Sequence, residues 1–250
     1  MRVVVTGAGG GIGAALARRF AADGARVVVN DLDPAAAGAV AADIGGRAVP
    51  GDAGSEADIR RLVDLAWDEL GGIDLFCSNA GVLSAGSQDT PDEVWLRDFG
   101  VNVMSHVYVT RALLPRWLAG DGGHLLITVS AAGLLTLLGS APYSVTKHAA
   151  LAYAEWLRAT YAHRGLKVQA LCPQGVRTDM MARGGASASS TLLAEGALDP
   201  AEVAEVAAKG VRSDAFLILP HPEVAEFYRR RATDPDRWLG GMNKLQRSFE

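Results

Sequence analysis

The chain has 250 residues, of which 49% are hydrophobic and 21% are charged. This composition is typical of a globular protein, and the length allows one large domain or two small ones. The formal net charge of −4, without any long basic run, gives no electrostatic basis for binding nucleic acid. No apolar stretch reaches the length of about 18 residues that a membrane-spanning helix needs, so we expect no membrane partner.

The N-terminal residues and the two cysteines indicate the cellular compartment of the protein. The first strand-like run reaches Thr6 and Gly7 too early for a signal peptide. Cys77 and Cys172 are too few for a disulfide framework, and both lie in apolar, strand-like segments where a reduced, buried thiol is typical. We therefore expect a cytoplasmic protein.

Strand and helix patterns alternate along the chain. Helical spacing of apolar residues predicts helices over residues 12–23, 34–44 and 56–70. Short β-branched runs predict strands over residues 2–5, 27–29, 47–50, 73–77, 125–129, 166–171 and 216–219. Short connections between alternating strands and helices imply right-handed crossovers, and strands that are apolar on both faces suit a parallel sheet covered by helices on each side. Neither a linker nor an internal repeat divides the chain.

A glycine-rich segment joins the first strand to the first helix. Residues 6–13 read TGAGGGIG. Glycines without a Cβ let a diphosphate approach the backbone, and the N–H groups at the start of the helix attract the anion. A glycine-rich turn without a ligand is the alternative, but the strand–turn–helix context favours a dinucleotide site.

An acidic residue at the end of the second strand indicates which dinucleotide is bound. Asp31 lies 18 residues after Gly13, close to the spacing of a carboxylate that binds the adenosine ribose. The same charge would repel a 2′-phosphate, and neither Asn30 nor Leu32 supplies a cation. We expect NAD rather than NADP; a simple turn residue before Asp33 is the alternative interpretation of Asp31.

A tyrosine and a lysine four residues apart form the candidate catalytic pair. Tyr143 and Lys147 follow Pro142, a residue suited to the first turn of a helix, and the i, i+4 spacing places both side chains on one face. An ammonium beside a phenol is expected to lower the tyrosine pKa towards neutrality, which would let the phenol exchange a proton with an alcohol or carbonyl. Without further context, such a pair is usually a solvated helix face.

The context is the order and spacing of further motifs, through which the chain resembles the short-chain dehydrogenase/reductase family. The matching residues, over about residues 1–219, are Thr6, Gly7, Gly11, Gly13, Asp52, Asn79, Ala80, Gly81, Asn102, Ser130, Tyr143, Lys147, Pro173, Gly175, Val176 and Thr178. The resemblance implies an α/β Rossmann-type doubly wound parallel sheet of about seven strands, with helices on both faces. It also implies a single domain over residues 1–250, in which residues 220–250 form a C-terminal extension.

The resemblance also implies roles for the catalytic residues. Ser130 would hydrogen-bond the substrate oxygen, and Tyr143 would act as general acid in reduction and as base in oxidation. Lys147 would bind the nicotinamide ribose and lower the tyrosine pKa, while Asn102 would hold a water molecule that relays protons to Lys147. The implied cofactor-binding residues are Gly7, Gly11, Ile12, Gly13, Asp31, Asp52, Ala53, Asn79, Gly81, Tyr143, Lys147, Val176 and Thr178.

The chain departs from the family pattern at three places. Ser78 stands where the family often has asparagine, Gln174 follows Pro173 where glycine is usual, and residues 220–250 extend past the seventh strand. In that extension Trp238, Met242, Leu245 and Phe249 share one helical face, which should dock either on its own domain or on a neighbouring subunit. The Ala-, Gly- and Ser-rich residues 182–196 suggest a mobile loop, either a lid or a surface insertion.

The expected function is hydride transfer between NAD and a secondary alcohol or ketone. Apolar residues around the implied site, at 131–139, 82–83 and 180–181, favour a hydrophobic substrate, unless they serve core or subunit packing. The alternatives are an NADPH-dependent ketone reductase and, in another class, a catalytically silent NAD-binding protein. We expect no catalytic metal, since no histidines and cysteines have metal-ligand spacing. The family is usually tetrameric or dimeric, so a homo-oligomer is expected.

Overall fold

The computed structural model describes residues 1–183 and 196–249. Nearly all of the predicted loop over residues 182–196 therefore lies outside the described residues, and neither the lid nor the surface-insertion interpretation is addressed. Among the helices that are described, none is both long and apolar enough to cross a membrane.

The described strands form one parallel sheet of seven strands. They are β1 (Arg2–Val5), β2 (Arg26–Val29), β3 (Arg47–Ala48), β4 (Leu75–Ser78), β5 (Gly123–Thr128), β6 (Leu166–Leu171) and β7 (Leu217–Ile218). Their order across the sheet is β3-β2-β1-β4-β5-β6-β7. The chain order reverses between β1 and β4, and in doubly wound sheets ligands bind at the carboxyl ends of the strands beside such a reversal.

Helices connect the strands and cover the sheet. They are α1 (Gly11–Ala22), α2 (Pro34–Asp43), α3 (Glu56–Leu70), α4 (Asp92–Phe99), α5 (Ser105–Ala119), α6 (Ala141–Tyr161), α7 (Asp179–Arg183), α8 (Pro200–Gly210), α9 (Glu223–Thr233) and α10 (Pro235–Arg247). A π-helical turn over Gly100–Met104 joins α4 to α5. Ser55 caps α3 by accepting a hydrogen bond from the amide of Asp58 at 3.3 Å.

Side-chain alternation along the strands builds two apolar layers. In β1, Val4 faces the layer packed against α3, α5 and α6, whereas Val3 and Val5 face the layer packed against α1, α2 and α8. In β4, Phe76 and Cys77 divide in the same way. Both layers are needed because a parallel sheet exposes apolar side chains on each face. The predicted fold class is confirmed, with strand ends that differ from the prediction by at most two residues.

The C-terminal extension forms two helices against its own chain. Val224 of α9 is fully buried in the same apolar layer as α3, α5 and α6. The Phe227 and Trp238 rings lie 6.3 Å apart and join α9 to α10. The predicted apolar face of α10 forms, but α10 contains no buried residue, and Leu245 is 36% exposed. The extension thus docks through α9, and α10 is held more loosely.

The burial of Trp117 generates a stability prediction. Its ring is 2% exposed, and its Nε1 donates to the Ile73 carbonyl at 2.8 Å. Trp117→Phe removes this donor and part of the ring, so we expect a loss of about 2–4 kcal/mol in the free energy of unfolding, measured by urea denaturation. The matched control is Trp156→Phe, because Trp156 is 54% exposed and should change stability by about 0.5 kcal/mol or less. Equal losses in the two variants would contradict this account.

Candidate active site

The predicted site residues converge on the carboxyl edge of the sheet, around β1, β4, β5 and β6. The glycine-rich turn follows β1, Asn79 to Gly81 follow β4, and Ser130 follows β5. Tyr143 and Lys147 project from α6 towards the same edge, and both are buried. Because parallel strands end on one side of the sheet, residues far apart in the chain meet here.

The glycine-rich turn is shaped to receive an anion. Gly7 has a φ of 61°, and a Cβ there would come within 2.8 Å of the Ala80 backbone. Gly10 is the N-cap of α1 and provides no side-chain cap, and the first turn of the helix carries no acidic residue. The N–H groups of that turn therefore remain suited to a diphosphate, so the residues present fit a dinucleotide.

Asp31 lies beside this turn at the end of β2. Its carboxylate accepts hydrogen bonds from the amides of Gly9 at 2.8 Å and Asp33 at 3.1 Å. The amide of Gly51 donates to the Asp31 carbonyl, which brings the segment after β3 alongside. In that segment Asp52 is exposed and Ala53 is buried. The Gly51 bond thus brings the start of the segment that contains Asp52 and Ala53 next to Asp31.

Hydrogen bonds of Asn79 link the carboxyl ends of β1, β4 and β5. Its Nδ2 donates to the carbonyls of Thr6 at 3.0 Å and Gly7 at 3.3 Å, and its Oδ1 accepts from the Thr128 hydroxyl at 2.9 Å. The Thr6 hydroxyl in turn accepts from the amides of Asn79 and Ala80. The hydrogen-bonding groups of the Asn79 side chain are therefore used by other residues of the protein. The predicted contact between Asn79 and the ribose would have to be made by its backbone.

Gly81 lies closer to the catalytic pair than the expected ribose-side position suggests. A Cβ on Gly81 would come within 3.1 Å of the Asn102 side-chain oxygen and 3.4 Å of the Lys147 ammonium. No side chain larger than hydrogen fits comfortably between these groups, which explains the glycine physically.

Asn102 lies in the π-helical turn and is completely buried. Its Oδ1 accepts from the Val82 amide at 2.8 Å, and its Nδ2 donates to the Val82 carbonyl and to Thr146 Oγ1. These partners hold the loop after β4 against α6. The side chain has its hydrogen-bonding capacity largely filled, so a proton-relay water would have to use the Asn102 main chain instead.

Ser130 has a strained backbone. Its φ is 139°, a positive value that non-glycine residues rarely adopt. The strain is held by the neighbouring Ala131 amide, which donates to the Pro173 carbonyl at 2.8 Å, while Ser130 Oγ accepts from the Ala132 amide at 3.1 Å. The hydroxyl also lies close enough to the Tyr143 phenol to oppose the rise in the pKa of that phenol. The serine and tyrosine side chains are therefore neighbours.

Lys147 lies beside Tyr143 but does not tune it as expected. Its ammonium is 5.6 Å from the centroid of the Tyr143 ring and donates to the Thr128 carbonyl at 3.0 Å. Burial raises the pKa of Tyr143 above its ordinary value, against the opposing hydrogen bond from Ser130. The predicted lowering towards neutrality is therefore wrong for the protein alone, because desolvation of a phenolate outweighs its stabilisation. Burial also lowers the pKa of Lys147, to about 8.

Val176 and Thr178 follow β6 in a segment that lies near the glycine-rich turn. Val176 is buried, and a Cβ on Gly11 would come within 3.1 Å of the Thr178 methyl. The segment after β6 therefore meets the helix start where Gly11, Ile12 and Gly13 lie. The segment after β6 and the glycine-rich turn are thus neighbours at the carboxyl edge of the sheet.

The apolar segment after Ser130 divides into core and cleft. Residues 131–135 are buried, and Leu134 and Leu135 belong to the apolar layer that contains Val224. Thr136 is exposed and has a φ of 105°. For Leu134 and Leu135 the core-packing interpretation is correct. Val82, Leu83 and Met181 are partly buried, so they remain candidates for contacting a substrate.

Sequence reasoning missed several residues that support the site. Thr128 supplies the acceptor for Lys147, Thr146 binds Asn102, and His221 binds the turn after β6. Thr128 could have been noticed as the polar end of an apolar strand, whereas nothing in the local sequence marks Thr146 or His221. Within the described residues, no group of three or more metal-binding side chains gathers.

Comparison with known proteins identifies the family. A family model described as short chain dehydrogenase matches residues 1–188. The 1-deoxy-11-beta-hydroxypentalenate dehydrogenase of Streptomyces exfoliatus is 39% identical over 233 residues, covering 88% of this chain and 82% of that protein. The meso-2,3-butanediol dehydrogenase of Serratia marcescens is 35% identical, covering 71% and 72% of the two chains.

A solved structure agrees over the whole fold. The short chain dehydrogenase/reductase of Burkholderia phymatum, determined in complex with NAD, superposes with a TM-score of 0.85 at 27% identity, covering 94% of this chain and 93% of that one. The chain belongs to the short-chain dehydrogenase family and is accordingly an oxidoreductase that uses a nicotinamide cofactor.

The close packing at Gly13 generates a second prediction. A Cβ there would overlap the Gly7 carbonyl oxygen and lie 2.6 Å from Asn79 Nδ2. Gly13→Ala should destabilise the protein by about 1–3 kcal/mol although alanine favours helices, because the backbone of the turn must shift. Thermal and urea unfolding measure this loss. Gly10→Ala is the control, since a Cβ there meets nothing within 4 Å and its φ is extended. A Gly13→Ala variant as stable as the control would refute the tight turn.

Proposed function

We propose that this protein is an NAD-dependent dehydrogenase of a hydrophobic secondary alcohol, working through Ser130, Tyr143 and Lys147. One observation carries the proposal: Ser130, the buried Tyr143 phenol and the buried Lys147 lie together at the sheet edge where the glycine-rich turn opens. Two O–H groups and one ammonium so placed suit hydrogen bonding and proton transfer at a carbinol oxygen.

A nicotinamide held by these residues would supply or accept the hydride. In ketone reduction, Tyr143 donates its phenolic proton to the substrate oxygen while Ser130 holds that oxygen in place. In alcohol oxidation, the same phenol oxygen receives the proton. The raised pKa of Tyr143 keeps the phenol protonated near neutral pH, which is the form that reduction needs. Lys147 binds the nicotinamide ribose and, through the Asn102 backbone and water, returns protons from solvent.

The cofactor choice rests on Asp31. Its carboxylate already binds the Gly9 amide and so lies where the adenosine ribose follows the diphosphate. We assign the cofactor contacts to the residues that line this edge: Gly7, Gly11, Ile12, Gly13, Asp31, Asp52, Ala53, Asn79, Gly81, Tyr143, Lys147, Val176 and Thr178. The NAD and NADH bound in the Burkholderia phymatum and Brucella melitensis structures support NAD. NADPH-dependent ketone reduction is the alternative.

The substrate is proposed to be a hydrophobic secondary alcohol or its ketone. Val82, Leu83 and Met181 supply apolar surface without a charge of their own. Relatives named for a hydroxypentalenate and for butanediol show that both large and small alcohols occur among similar proteins. A screen of alcohols of increasing size, with each cofactor and with nicotinamide absorbance as the readout, tests the assignment.

We further propose that residues 1–250 act as one Rossmann domain whose extension spans residues 220–250. The protein is proposed to be a cytoplasmic homodimer or homotetramer without nucleic-acid or membrane partners. Exposed apolar side chains on α4 and α6, at Leu96, Phe99 and Trp156, support self-association.

The mechanism predicts the effect of removing the phenol. Tyr143→Phe should lower kcat by about 10²–10⁴ because no other positioned group exchanges the alcohol proton. The Kd for NAD, measured by fluorescence titration, should change little. Near-normal turnover in this variant would disprove the proposed mechanism.

The cofactor assignment predicts two graded variants. Asp31→Ala should weaken NAD binding by about 1.5–3 kcal/mol, because a charge-assisted hydrogen bond is lost, and should also relieve repulsion of NADP. Asp31→Asn is the matched control, because it removes the charge but keeps a side-chain oxygen that can accept from the Gly9 amide. It therefore separates the repulsion of the NADP 2′-phosphate from disruption of the glycine-rich turn. The ratio of kcat/KM for the two cofactors measures both effects. A wild-type protein that prefers NADP would show the assignment of Asp31 to be wrong.

A further inference from the structure

We propose that His221 is a positioning residue for the substrate, acting by holding the Pro173–Gln174–Gly175 turn beside Ser130. The inference rests on the proposed function and concerns a residue of the C-terminal extension that belongs to none of the sequence motifs. It makes the extension part of the substrate-binding apparatus of this chain.

The His221 side chain is built into the protein in one orientation. It is only 4% exposed, and its Nδ1 accepts a hydrogen bond from the Gln174 amide at 3.1 Å. Since Nδ1 accepts, the imidazole is the neutral tautomer with its proton on Nε2. Pro220 and Pro222 flank the residue and restrict the backbone, so little conformational freedom remains to be lost when the side chain is used.

The turn that His221 holds is in direct contact with the candidate catalytic serine. The Pro173 carbonyl accepts from the Ala131 amide at 2.8 Å and lies 3.5 Å from Ser130 Oγ. Gln174 is the next residue, and it stands where the family usually has glycine. A glycine at this position has no side chain, so a substrate could approach it without a hydrogen bond that fixes the turn. A glutamine side chain has to be held in a defined direction if it is to meet a substrate. The His221 bond fixes the backbone from which that side chain projects.

The same extension also reaches the segment on the other side of Ser130. Val224, whose amide donates to the His221 carbonyl, is fully buried in the apolar layer that contains Leu134 and Leu135. Arg231 at the far end of α9 donates to the Leu134 carbonyl. The extension therefore restrains both segments that meet at Ser130, one through His221 and the other through α9. A substitution at His221 should therefore alter substrate recognition without displacing the glycine-rich turn.

The His221 Nε2 atom provides the means of testing this role. It is buried and finds no partner among the described residues. Asparagine places its side-chain oxygen about where Nδ1 lies, whereas glutamine reaches the position of Nε2. If His221 acts through Nδ1, His221→Asn should restore what His221→Ala loses, and His221→Gln should not.

The experiment measures steady-state kinetics, the Kd for NAD, and hydrogen exchange at the Gln174 amide for wild type and the three His221 variants. His221→Ala is expected to lower kcat/KM for the alcohol about three- to tenfold through KM, with the Kd for NAD changed less than twofold, and to speed exchange at Gln174 about tenfold. His221→Asn should lie near wild type in both. The control is His124→Asn, which removes a 2.8 Å contact between His124, near the amino end of β5, and Gln169 in the middle of β6, and should alter stability alone.

The outcomes separate this inference from the proposed function. Unchanged exchange in His221→Ala overturns the inference whether or not the protein turns over an alcohol. Faster exchange with unchanged KM also overturns it, because His221 would then be structural only. Rescue by glutamine and not by asparagine overturns the Nδ1 assignment. A wild-type protein with no turnover on any alcohol rejects the proposed function, while the exchange at Gln174 still decides whether His221 holds the turn.

Discussion

A chain of hydrogen bonds across the ends of β1, β4 and β5 is the constraint on which the site depends. It runs from Thr6 to Asn79, from Asn79 to Thr128, and from the Thr128 carbonyl to the Lys147 ammonium. These bonds satisfy polar groups that would otherwise be buried beside the apolar layers without partners. Leaving those groups unpaired would cost several kcal/mol in total. They also join the anion-binding turn to the catalytic lysine through the rigid sheet. The glycine-rich turn and the tyrosine–lysine pair are therefore positioned by one network.

The electrostatics of the site follow from burial rather than from the pairing of charges. Lys147 is almost fully enclosed, so its pKa falls to about 8, and the pKa of the adjacent phenol rises for the same reason. Both shifts favour neutral groups, as expected where water is excluded. A ligand that fills the cleft with charge and hydroxyl groups changes that balance, and so the protonation states suited to each direction of reaction depend on the bound complex.

The parts of this site that the sequence predicts are those whose chemistry is local. The glycines of residues 7–13 serve a single turn, and Tyr143 and Lys147 serve a single helix, so spacing alone identifies them. The apolar runs likewise predict the sheet. The roles of Thr128, Thr146 and His221 depend on partners between 19 and 47 residues away, which no local pattern encodes. The direction of the Tyr143 pKa was mispredicted because charge spacing is visible in a sequence and depth of burial is not.

Ser78 shows how a departure from the family pattern is accommodated by a residue outside the motif. Its hydroxyl lies 2.6 Å from Nδ1 of His106, and both side chains are buried beneath the Asn79–Gly81 segment. A serine is shorter than the asparagine that the family often has at this position, and here the imidazole from α5 supplies its hydrogen-bond partner. Burial and the nearby charge of Lys147 lower the His106 pKa to about 3, so the imidazole stays neutral across the physiological range. A neutral partner supports the end of β4 without adding a second positive charge beneath the lysine. The substitution at Ser78 therefore leaves the catalytic charge arrangement intact, and the chain's distinctive chemistry is to be sought at Gln174 and in the extension that restrains it.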